Sequence, residues 1–342
     1  MLHRGTEKLA ETKMYLNSLP YFDRLDYVST LLQEHSYALN IETILKKKIK
    51  NKFLIKTRTV FDELTRILNH YLAISCHALD VGSMSPIFWA FEDREKIMEF
   101  YEYFTGARMH TALYKPLYQY RFLNRKLSKN ILNYVHEGLI TLNEIHNVLS
   151  NNKIWKIRLK NNGIINLNFV EKFGITGPLA RSTGLKKDLR INTFYTYGNY
   201  HYFNFSSYIT KNGDSYDRFL LRMYEIKESL LIVKKNIFFK KFKNNFKNKN
   251  FTLMEEVIKH FKYWSYGFNL KTSLNYLAVE SSKGEFGTLI ISDNTNKPYR
   301  CKIRSPSFHH LFALTNLSIN NFIADLVTLI GTIDIVFGEI DR

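Results

Sequence analysis

Three residues with reactive side chains lie about one helical turn apart near residue 80. Asp80 follows His77 by three positions and Cys76 by four, so all three share one face if this segment is helical. A carboxylate on an otherwise apolar face must pair, take up a proton or border water, because burying an unpaired charge is costly. Asp80 could therefore be a proton-handling acid beside a small-molecule cavity, or simply cap the Val81-Gly82 turn. The residue types alone leave both interpretations open.

The common catalytic motifs are missing from the full sequence. It has no P-loop, no G-x-G-x-x-G, no H-E-x-x-H and no nucleophile elbow. Cys76 and Cys301 are its two cysteines, which excludes a disulfide scaffold and a cysteine-ligated metal or iron–sulfur site within this chain. We expect each to be a small core residue. His309 and His310 are adjacent and lack metal-ligand spacing, so we predict that this chain alone binds no metal or cofactor.

The elements that must position these residues are mostly helical in the first half of the chain. Apolar residues over 60–72 alternate at spacings of three and four, which predicts an amphipathic helix that runs to Asp80 and stops at Gly82. The further predicted helices are 6–19, 24–45, 93–105 and 128–150. We expect Pro20 to separate the helices at 6–19 and 24–45, and Asp93 to cap the helix at 93–105.

After about residue 154 the pattern becomes mixed. Residues 153–170 form short apolar runs, and 171–190 are punctuated by glycine. Alternating residues around Lys283-Gly284-Glu285 predict a β-hairpin. The predicted elements of this half are helices at 214–241, 252–264 and 319–332 and strands at 274–281 and 286–292. We therefore predict a mainly helical α+β fold forming one compact domain. It would comprise a helical part at 1–150 and a mixed part at 151–342 that returns to the core through the C-terminal segment.

The charge balance is strongly basic but does not specify a partner. Forty-nine Lys and Arg against 31 Asp and Glu give a formal charge of +18, which would suit a nucleic-acid binder. Codon drift towards A and T would also enrich Lys, Asn, Phe and Tyr, and 26 Phe and 22 Tyr are present. The stretch 234–250, KKNIFFKKFKNNFKNKN, fits an RNA or acidic-lipid patch, or a drifted surface loop, which we favour.

Neither targeting signals nor membrane spans are evident. Residues 1–20 contain acidic residues and no uninterrupted apolar run, unlike a secretory signal or an organellar presequence. The two most apolar stretches, Tyr71–Phe91 and Ala324–Phe337, carry polar groups or are too short for a bilayer span. We expect both to be buried segments of a protein that does not cross the membrane.

Ten ordered segments closely resemble one protein family. They are HRGTEKLAE (His3–Glu11), LPYFDRLDYVS (Leu19–Ser29), LTRILNH (Leu64–His70), HALDVGSMSPIFWAFEDREK (His77–Lys96), GARMH (Gly106–His110), GITGPLARSTGLKKDLR (Gly174–Arg190), GDSYDR (Gly213–Arg218), KGEFG (Lys283–Gly287), PYRCKIRSPSF (Pro298–Phe308) and GTIDIVFGEIDR (Gly331–Arg342). On these segments the chain resembles the 49-kDa subunit of respiratory complex I, also called NADH dehydrogenase subunit 7.

The resemblance implies an architecture and a role. The fold would be a long-helix bundle resembling the large subunit of nickel–iron hydrogenases, without that enzyme's cysteine pairs. The chain would be a matrix-arm core subunit of NADH:ubiquinone oxidoreductase, inactive alone. It would form the ubiquinone-reduction site with a partner subunit that holds the terminal tetranuclear iron–sulfur cluster, and couple electron transfer to proton translocation.

Partners and location follow from the same resemblance. Besides the terminal-cluster subunit, the 30-kDa-type subunit and the membrane subunit at the quinone channel would be neighbours, while NADH and FMN would bind elsewhere in the complex. No nucleic-acid partner is expected. The chain would lie on the matrix side of the mitochondrial inner membrane and be encoded within the mitochondrion, with an AT-rich bacterium as the alternative source.

The resemblance also implies roles for individual residues that match the family's motifs. Tyr27 matches a tyrosine that hydrogen-bonds a ubiquinone carbonyl, which suits a phenol able to donate to that oxygen. Asp80 matches the nearby acidic residue, with His77 as its expected partner. Asp334 and Val336 match positions tied to quinone reduction and inhibitor binding, with packing of a buried tail as the alternative role.

Three further residues would face the terminal cluster without ligating it. Arg4, Arg24 and His110 match these positions, where positive charge favours the reduced cluster and an imidazole can couple proton uptake to reduction. Arg4 also matches an arginine that is dimethylated in some members; an ordinary surface arginine is the alternative.

Two departures from the family pattern stand out. The family has an N-terminal GPQHP-type loop whose histidine is a second quinone ligand, whereas this sequence starts at Met1-Leu2-His3; we expect a separate small polypeptide to supply that loop. Residues 113–126, LYKPLYQYRFLNRK, replace a Gly-rich, Pro-containing stretch. The competing hypotheses are a basic organellar RNA-binding protein and a hydrogenase-like relative without activity.

Overall fold

Helices account for most of the structure, which is a computed structural model. It describes residues 3–46, 52–116, 123–191, 197–198, 200, 205–237 and 253–342. Over these residues the elements are α1 (Thr6–Thr12), α2 (Tyr15–Asp23), α3 (Thr30–Ile44), α4 (Lys52–Val81), α5 (Ser85–Thr105), α6 (Arg125–Asn151), α7 (Lys153–Leu159), α8 (Leu167–Phe173), α9 (Pro178–Arg181), α10 (Ser215–Asn236), α11 (Met254–Ser265), β1 (Ser273–Glu280), β2 (Glu285–Ser292), β3 (Pro298–Arg304), α12 (Pro306–Leu317), α13 (Ile323–Ile333) and α14 (Phe337–Asp341). The predicted mainly helical α+β class is confirmed.

The central element is the 30-residue helix α4. Its predicted apolar stripe, including Leu64, Ile67 and Tyr71, is buried, and the helix packs against α5, α10 and α13. Side-chain caps fix where neighbouring helices begin. Asn124 accepts the Leu127 N–H at the start of α6 at 2.8 Å. Asp214 accepts the Asp217 N–H at the start of α10, also at 2.8 Å.

The predicted hairpin is present as β1 and β2 of a three-stranded antiparallel sheet with order β1-β2-β3. Val279 pairs with Phe286, and Gly287 pairs with Arg304 on β3. Helix α3 covers the sheet, and its buried Asn40 donates to the Thr288 carbonyl at 2.6 Å. This packing carries the β1–β2 turn, with Lys283, into the interior of the molecule.

Two predicted helix boundaries, at Pro20 and at Asp93, were wrong. Pro20 lies inside α2, and the break between the first two helices falls at 13–14 instead. Burial of Leu16, Leu19 and Phe22 along α2 offsets the one backbone hydrogen bond that proline removes. Helix α5 begins at Ser85, where proline suits the first turn. Asp93 is therefore a buried mid-helix residue, not a cap, and it accepts the Thr141 hydroxyl at 2.5 Å.

The predicted division into two parts is not tested by the structure. One hydrophobic cluster contains residues of both predicted parts, from Ala10 to Val336, and the division at residue 150 stays a prediction. Most of the Lys/Asn/Phe stretch 234–250 lies outside the described residues, as do 117–122 of the divergent stretch.

Within the described part of the chain, no helix has the length and apolar character needed to cross a membrane.

Candidate functional site

Tyr27 lies in a short turn, 24–29, between α2 and α3. The buried Asp26 closes this turn, since its Oδ1 accepts the N–H groups of Val28 at 3.1 Å and Ser29 at 3.2 Å. Within this turn Tyr27 is 46% exposed. It is therefore a surface phenol able to donate to a ligand.

The C-terminal helix α14 packs directly against this turn. A Cβ built on Gly338 would lie 2.8 Å from the Leu25 carbonyl oxygen and 3.8 Å from Cδ1 of Tyr27. Only a glycine allows the two backbones to approach this closely. The position of α14 therefore fixes one side of the surface on which Tyr27 lies.

A buried charged group lies behind Tyr27, and we call it the Lys283 cluster. Its members are Lys283, Asp26, Asp334 and Glu339. The Lys283 ammonium lies 2.9 Å from Asp26 and 4.0 Å from Asp334, and it also donates to the Asn69 amide oxygen. Burial by itself lowers the pKa of Lys283, but Asp26 and Asp334 reverse this and the net direction is upward. The ammonium therefore stays charged.

Asp334 joins this cluster from the junction of α13 and α14. Its backbone is left-handed, with φ of 58°, and its carboxylate accepts the Asn69 amide N–H at 2.7 Å. Burial opposes ionisation, but Lys283 and Arg222 lower the pKa of Asp334 overall. Val336, two residues on, is buried in the main hydrophobic cluster and is the N-cap residue of α14.

Of this cluster only Asp334 was predicted as a site residue, and Asp26, Lys283 and Glu339 were missed. Glu339 lies on α14. It is fully buried, and one carboxylate oxygen accepts the Ser307 hydroxyl at 2.6 Å. Among the described residues its other oxygen, Oε1, has no hydrogen-bond partner. Burial, and next the neighbouring Asp26, raise the pKa of Glu339 to about 8. The sequence shows Glu339 only as an acidic residue of the GEIDR segment, and its position beside Asp26 is visible only in the tertiary structure.

Asp80 and His77 lie at the C-terminal end of α4, where α13 crosses. A Cβ on Gly331 of α13 would lie 2.8 Å from Oδ2 of Asp80 and 3.1 Å from Cδ2 of His77. Asp80 is exposed at its edge of this contact. Partial burial raises its pKa, which suits a residue that takes up and releases protons.

His77 and Cys76 differ from what the helical spacing suggested. His77 is buried against the Trp155 ring, with 4.8 Å between ring centroids, and within the described residues it forms no hydrogen bond or ion pair with Asp80. Burial, then Arg222 and Arg218, lower its pKa to about 3, so the imidazole is neutral. Cys76 is exposed rather than a core residue, because it lies on the exposed side of α4 with Asp80, whereas Cys301 is buried as expected.

Arg4, Arg24 and His110 lie together around the end of α2. Arg4 donates to the Arg24 carbonyl at 3.3 Å, and Arg24 donates to the Pro20 carbonyl at 3.0 Å. His110 Nδ1 lies 3.5 Å from the Asp23 carboxylate. Arg24 precedes Tyr27 by three residues in the chain, and both arginines are exposed.

A second charged network holds α4 and α10 to the sheet. Arg181 pairs with Glu225 at 2.6 Å and with Glu280 at 2.7 Å, and His70 lies 2.9 Å from Glu225. Every member is buried, so each charge needs its partners. This network fixes α4 and the β1–β2 turn relative to each other, and with them Asn69 and Lys283.

The closing segment, 331–342, contacts the four residues predicted for the quinone site or contains them. Gly331 lies against Asp80, Asp334 and Val336 belong to the segment, and Gly338 lies against Tyr27. No group of three or more His, Cys, Asp or Glu side chains that could hold a metal occurs among the described residues. The closing segment therefore contacts an exposed phenol, Tyr27, and an exposed acid, Asp80, and it carries the buried acid Glu339.

Comparison with known proteins finds matches to one family. A family model described as the 49 Kd subunit of respiratory-chain NADH dehydrogenase matches residues 80–342. The NADH-ubiquinone oxidoreductase 49 kDa subunit of Paramecium tetraurelia is 54% identical, over 100% of this chain and 90% of that protein. The Acanthamoeba castellanii protein of that name is 46% identical, over 100% and 87%. That of Cafeteria roenbergensis is 44% identical, over 100% and 88%.

The fold is that of a mainly helical protein of the hydrogenase large-subunit type. The chain belongs to the 49 kDa subunit family of respiratory-chain NADH dehydrogenase. The family predicted from the ten sequence segments is therefore confirmed. The roles predicted for individual residues stay predictions.

Proposed function

We propose that this chain is a core subunit of NADH:ubiquinone oxidoreductase and forms one wall of the site where ubiquinone is reduced. The observation that carries this proposal is the closing segment, 331–342, which contacts both Tyr27 and Asp80 through glycines. The activity belongs to the assembled complex, because the electrons must come from a redox centre that a partner subunit holds.

Ubiquinone reduction needs two electrons and two protons for each quinol formed. A tetranuclear iron–sulfur cluster in the partner subunit supplies the electrons. The exposed Tyr27 hydroxyl donates a hydrogen bond to a quinone carbonyl oxygen, and this bond strengthens as that oxygen gains negative charge. Asp80 handles protons where it contacts Gly331 of the closing segment, since partial burial raises its pKa.

The arginine and histidine group at the end of α2 serves the electron donor. Arg4, Arg24 and His110 face the partner's cluster without ligating it. Their positive charge stabilises the reduced form, because a reduced cluster carries one more negative charge. His110 lies 3.5 Å from the Asp23 carboxylate, and an imidazole in this position can couple proton uptake to reduction of the cluster.

The proposal extends to the setting of the chain. Its neighbours would be the terminal-cluster subunit, a 30-kDa-type subunit and the membrane subunit at the quinone channel, with NADH and FMN bound elsewhere. It would lie peripherally on the matrix side of the mitochondrial inner membrane, where quinone reduction is coupled to proton translocation.

Replacing Tyr27→Phe in the assembled complex tests this function. The phenylalanine keeps the ring against Gly338 but removes the donor, so quinone reduction should fall at least about tenfold. Oxidation of NADH by a hydrophilic artificial acceptor, which takes electrons upstream of the quinone, should be unchanged. Both activities are measured on the same purified preparation.

The matched control is Tyr299→Phe, since Tyr299 is an exposed tyrosine on β3. This variant should reduce quinone as the unmodified complex does. Undiminished quinone reduction in the Tyr27→Phe complex would contradict the proposed role of the phenol.

A further inference from the structure

We propose that the Lys283 cluster stores one exchangeable proton on Glu339 and supplies it for quinone reduction at Tyr27. This inference rests on the proposed function, and it assigns the source of one of the two protons that the reaction consumes.

The three carboxylates of the cluster are unequally stabilised as anions. Asp26 faces Lys283 at 2.9 Å and accepts two backbone N–H groups. Asp334 accepts the Asn69 amide and lies near Lys283 and Arg222. Glu339 has the Ser307 hydroxyl, and among the described residues its Oε1 has no hydrogen-bond partner. It is therefore the member least able to hold a negative charge.

The charge balance of this buried group points to the same residue. Lys283 is the ammonium among three carboxylates, and Arg222 on α10 acts on Asp334. The groups that face Glu339 are Asp26 in the 24–29 turn, Lys283 in the β1–β2 turn, Ser307 on α12 and Asp334 after α13. Full ionisation would leave an excess of buried negative charge, which is removed if one carboxyl stays protonated.

Glu339 holds its proton weakly enough to release it. Burial and the adjacent Asp26 raise its pKa to about 8, so it is mostly protonated at neutral pH. A proton held at that pKa can leave at modest cost when a stronger base forms nearby. The resulting carboxylate would face the Lys283 ammonium.

Two chain neighbours link the store to the turn that carries the reacting group. Glu339 follows Gly338, where an added Cβ would lie 3.8 Å from Cδ1 of Tyr27, and Asp26, which acts on Glu339, precedes Tyr27 in the turn. In the proposed step the Tyr27 hydroxyl gives its proton to the reduced quinone oxygen and regains one from Glu339. One O–H bond forms on the substrate, the Glu339 O–H bond breaks, and solvent later reprotonates the carboxylate. The partner's iron–sulfur cluster would supply both electrons, and solvent would supply the second proton.

The test compares Glu339→Gln with Glu144→Gln in the assembled complex. Glutamine keeps the shape and accepts the Ser307 hydroxyl but cannot release a proton, so kcat for quinone should fall about tenfold with KM changed less than about twofold. The decline of the rate as pH rises through about 8 should also disappear. Glu144→Gln, the same exchange at an exposed carboxylate on α6, should change neither quantity.

Ser307→Ala provides a second test that does not need the glutamine variant to assemble. Removing this hydroxyl destabilises the Glu339 anion, so the alkaline limb of the pH profile should move to higher pH while kcat at neutral pH is kept. An unshifted limb in an assembled Ser307→Ala complex would overturn the inference.

The two proposals fail in different ways. Unmodified kcat and pH profile in Glu339→Gln, together with lost quinone reduction in Tyr27→Phe, would overturn the proton store and leave the proposed function standing. Full quinone reduction in both variants would overturn the proposed function itself. Oxidation of NADH by the artificial acceptor shows in each case that the complex is intact.

Discussion

The residues of this site separate into an exposed pair and buried groups whose protonation the fold controls. Tyr27 and Asp80 are open to a ligand, whereas Glu339 and His77 are buried and neutral for the same reason, although their pKa values shift in opposite directions. Burial alone disfavours charge on both, which raises the pKa of an acid and lowers that of an imidazole. A neutral His77 beside Arg218 and Arg222 adds no further positive charge to that part of the interior.

The acid sensitivity of the chain should reflect this histidine. The pKa of His77 is about 3 in the folded chain and near 6.5 when unfolded, so the unfolded state binds the proton first and stability falls as pH drops below about 6.5. His77→Phe should recover about 2 kcal/mol of the stability lost at pH about 5. Proteolysis of this chain during thermal unfolding of the complex, at pH about 7.5 and about 5, measures the difference.

His310 also has a pKa lowered to about 3, so part of the acid sensitivity should persist in that variant. The exposed His136 on α6 provides the control, since His136→Phe should leave the pH dependence unchanged. Equal acid sensitivity in the His77→Phe and unmodified complexes would contradict a neutral buried imidazole.

At the scale of elements, the closing segment and the β1–β2 turn bring the site together. Helical periodicity was sufficient to predict α4, and alternation was sufficient to predict the hairpin that carries Lys283. Neither pattern could show that this turn is buried against Asp26, because the partners are 257 residues apart in sequence. Pro20 and Asp93 were misplaced for a related reason, since tertiary packing decided where α2 and α5 begin.

Gly338→Ala should disturb the site through the backbone. The added Cβ would lie 2.8 Å from the Leu25 carbonyl oxygen, which is part of the backbone and cannot rotate away, so α14 must move from the Tyr27 turn. Quinone reduction should fall severalfold although Tyr27 and Glu339 are unchanged. Steady-state quinone kinetics of the purified complex measure the effect.

Gly138→Ala on α6 is the matched control. Its added Cβ would meet the nearest side-chain atoms at 3.6 Å or more, an ordinary contact, and alanine favours the helix. This variant should reduce quinone normally and be at least as stable as the unmodified chain. A Gly338→Ala complex with unaltered quinone kinetics would show that α14 does not position Tyr27.

At the scale of the whole molecule, the surface is that of a protein that works in an assembly. Large apolar side chains on the last helices are exposed, among them Phe322 at 81% and Ile323 at 85%, and α11 has no buried residue. Exposed apolar surface of this kind is typical of protein contact sites. The formal charge of +18, which first suggested nucleic acid, belongs to a chain of a respiratory-complex family.

Photolabelling of the purified complex tests whether this chain forms a wall of the quinone site. A ubiquinone analogue with a photoreactive group on its ring should attach to peptides covering 24–29 and 331–342, and excess ubiquinone should suppress the labelling. Labelling confined to other peptides or other subunits, with equal suppression by ubiquinone, would contradict the account.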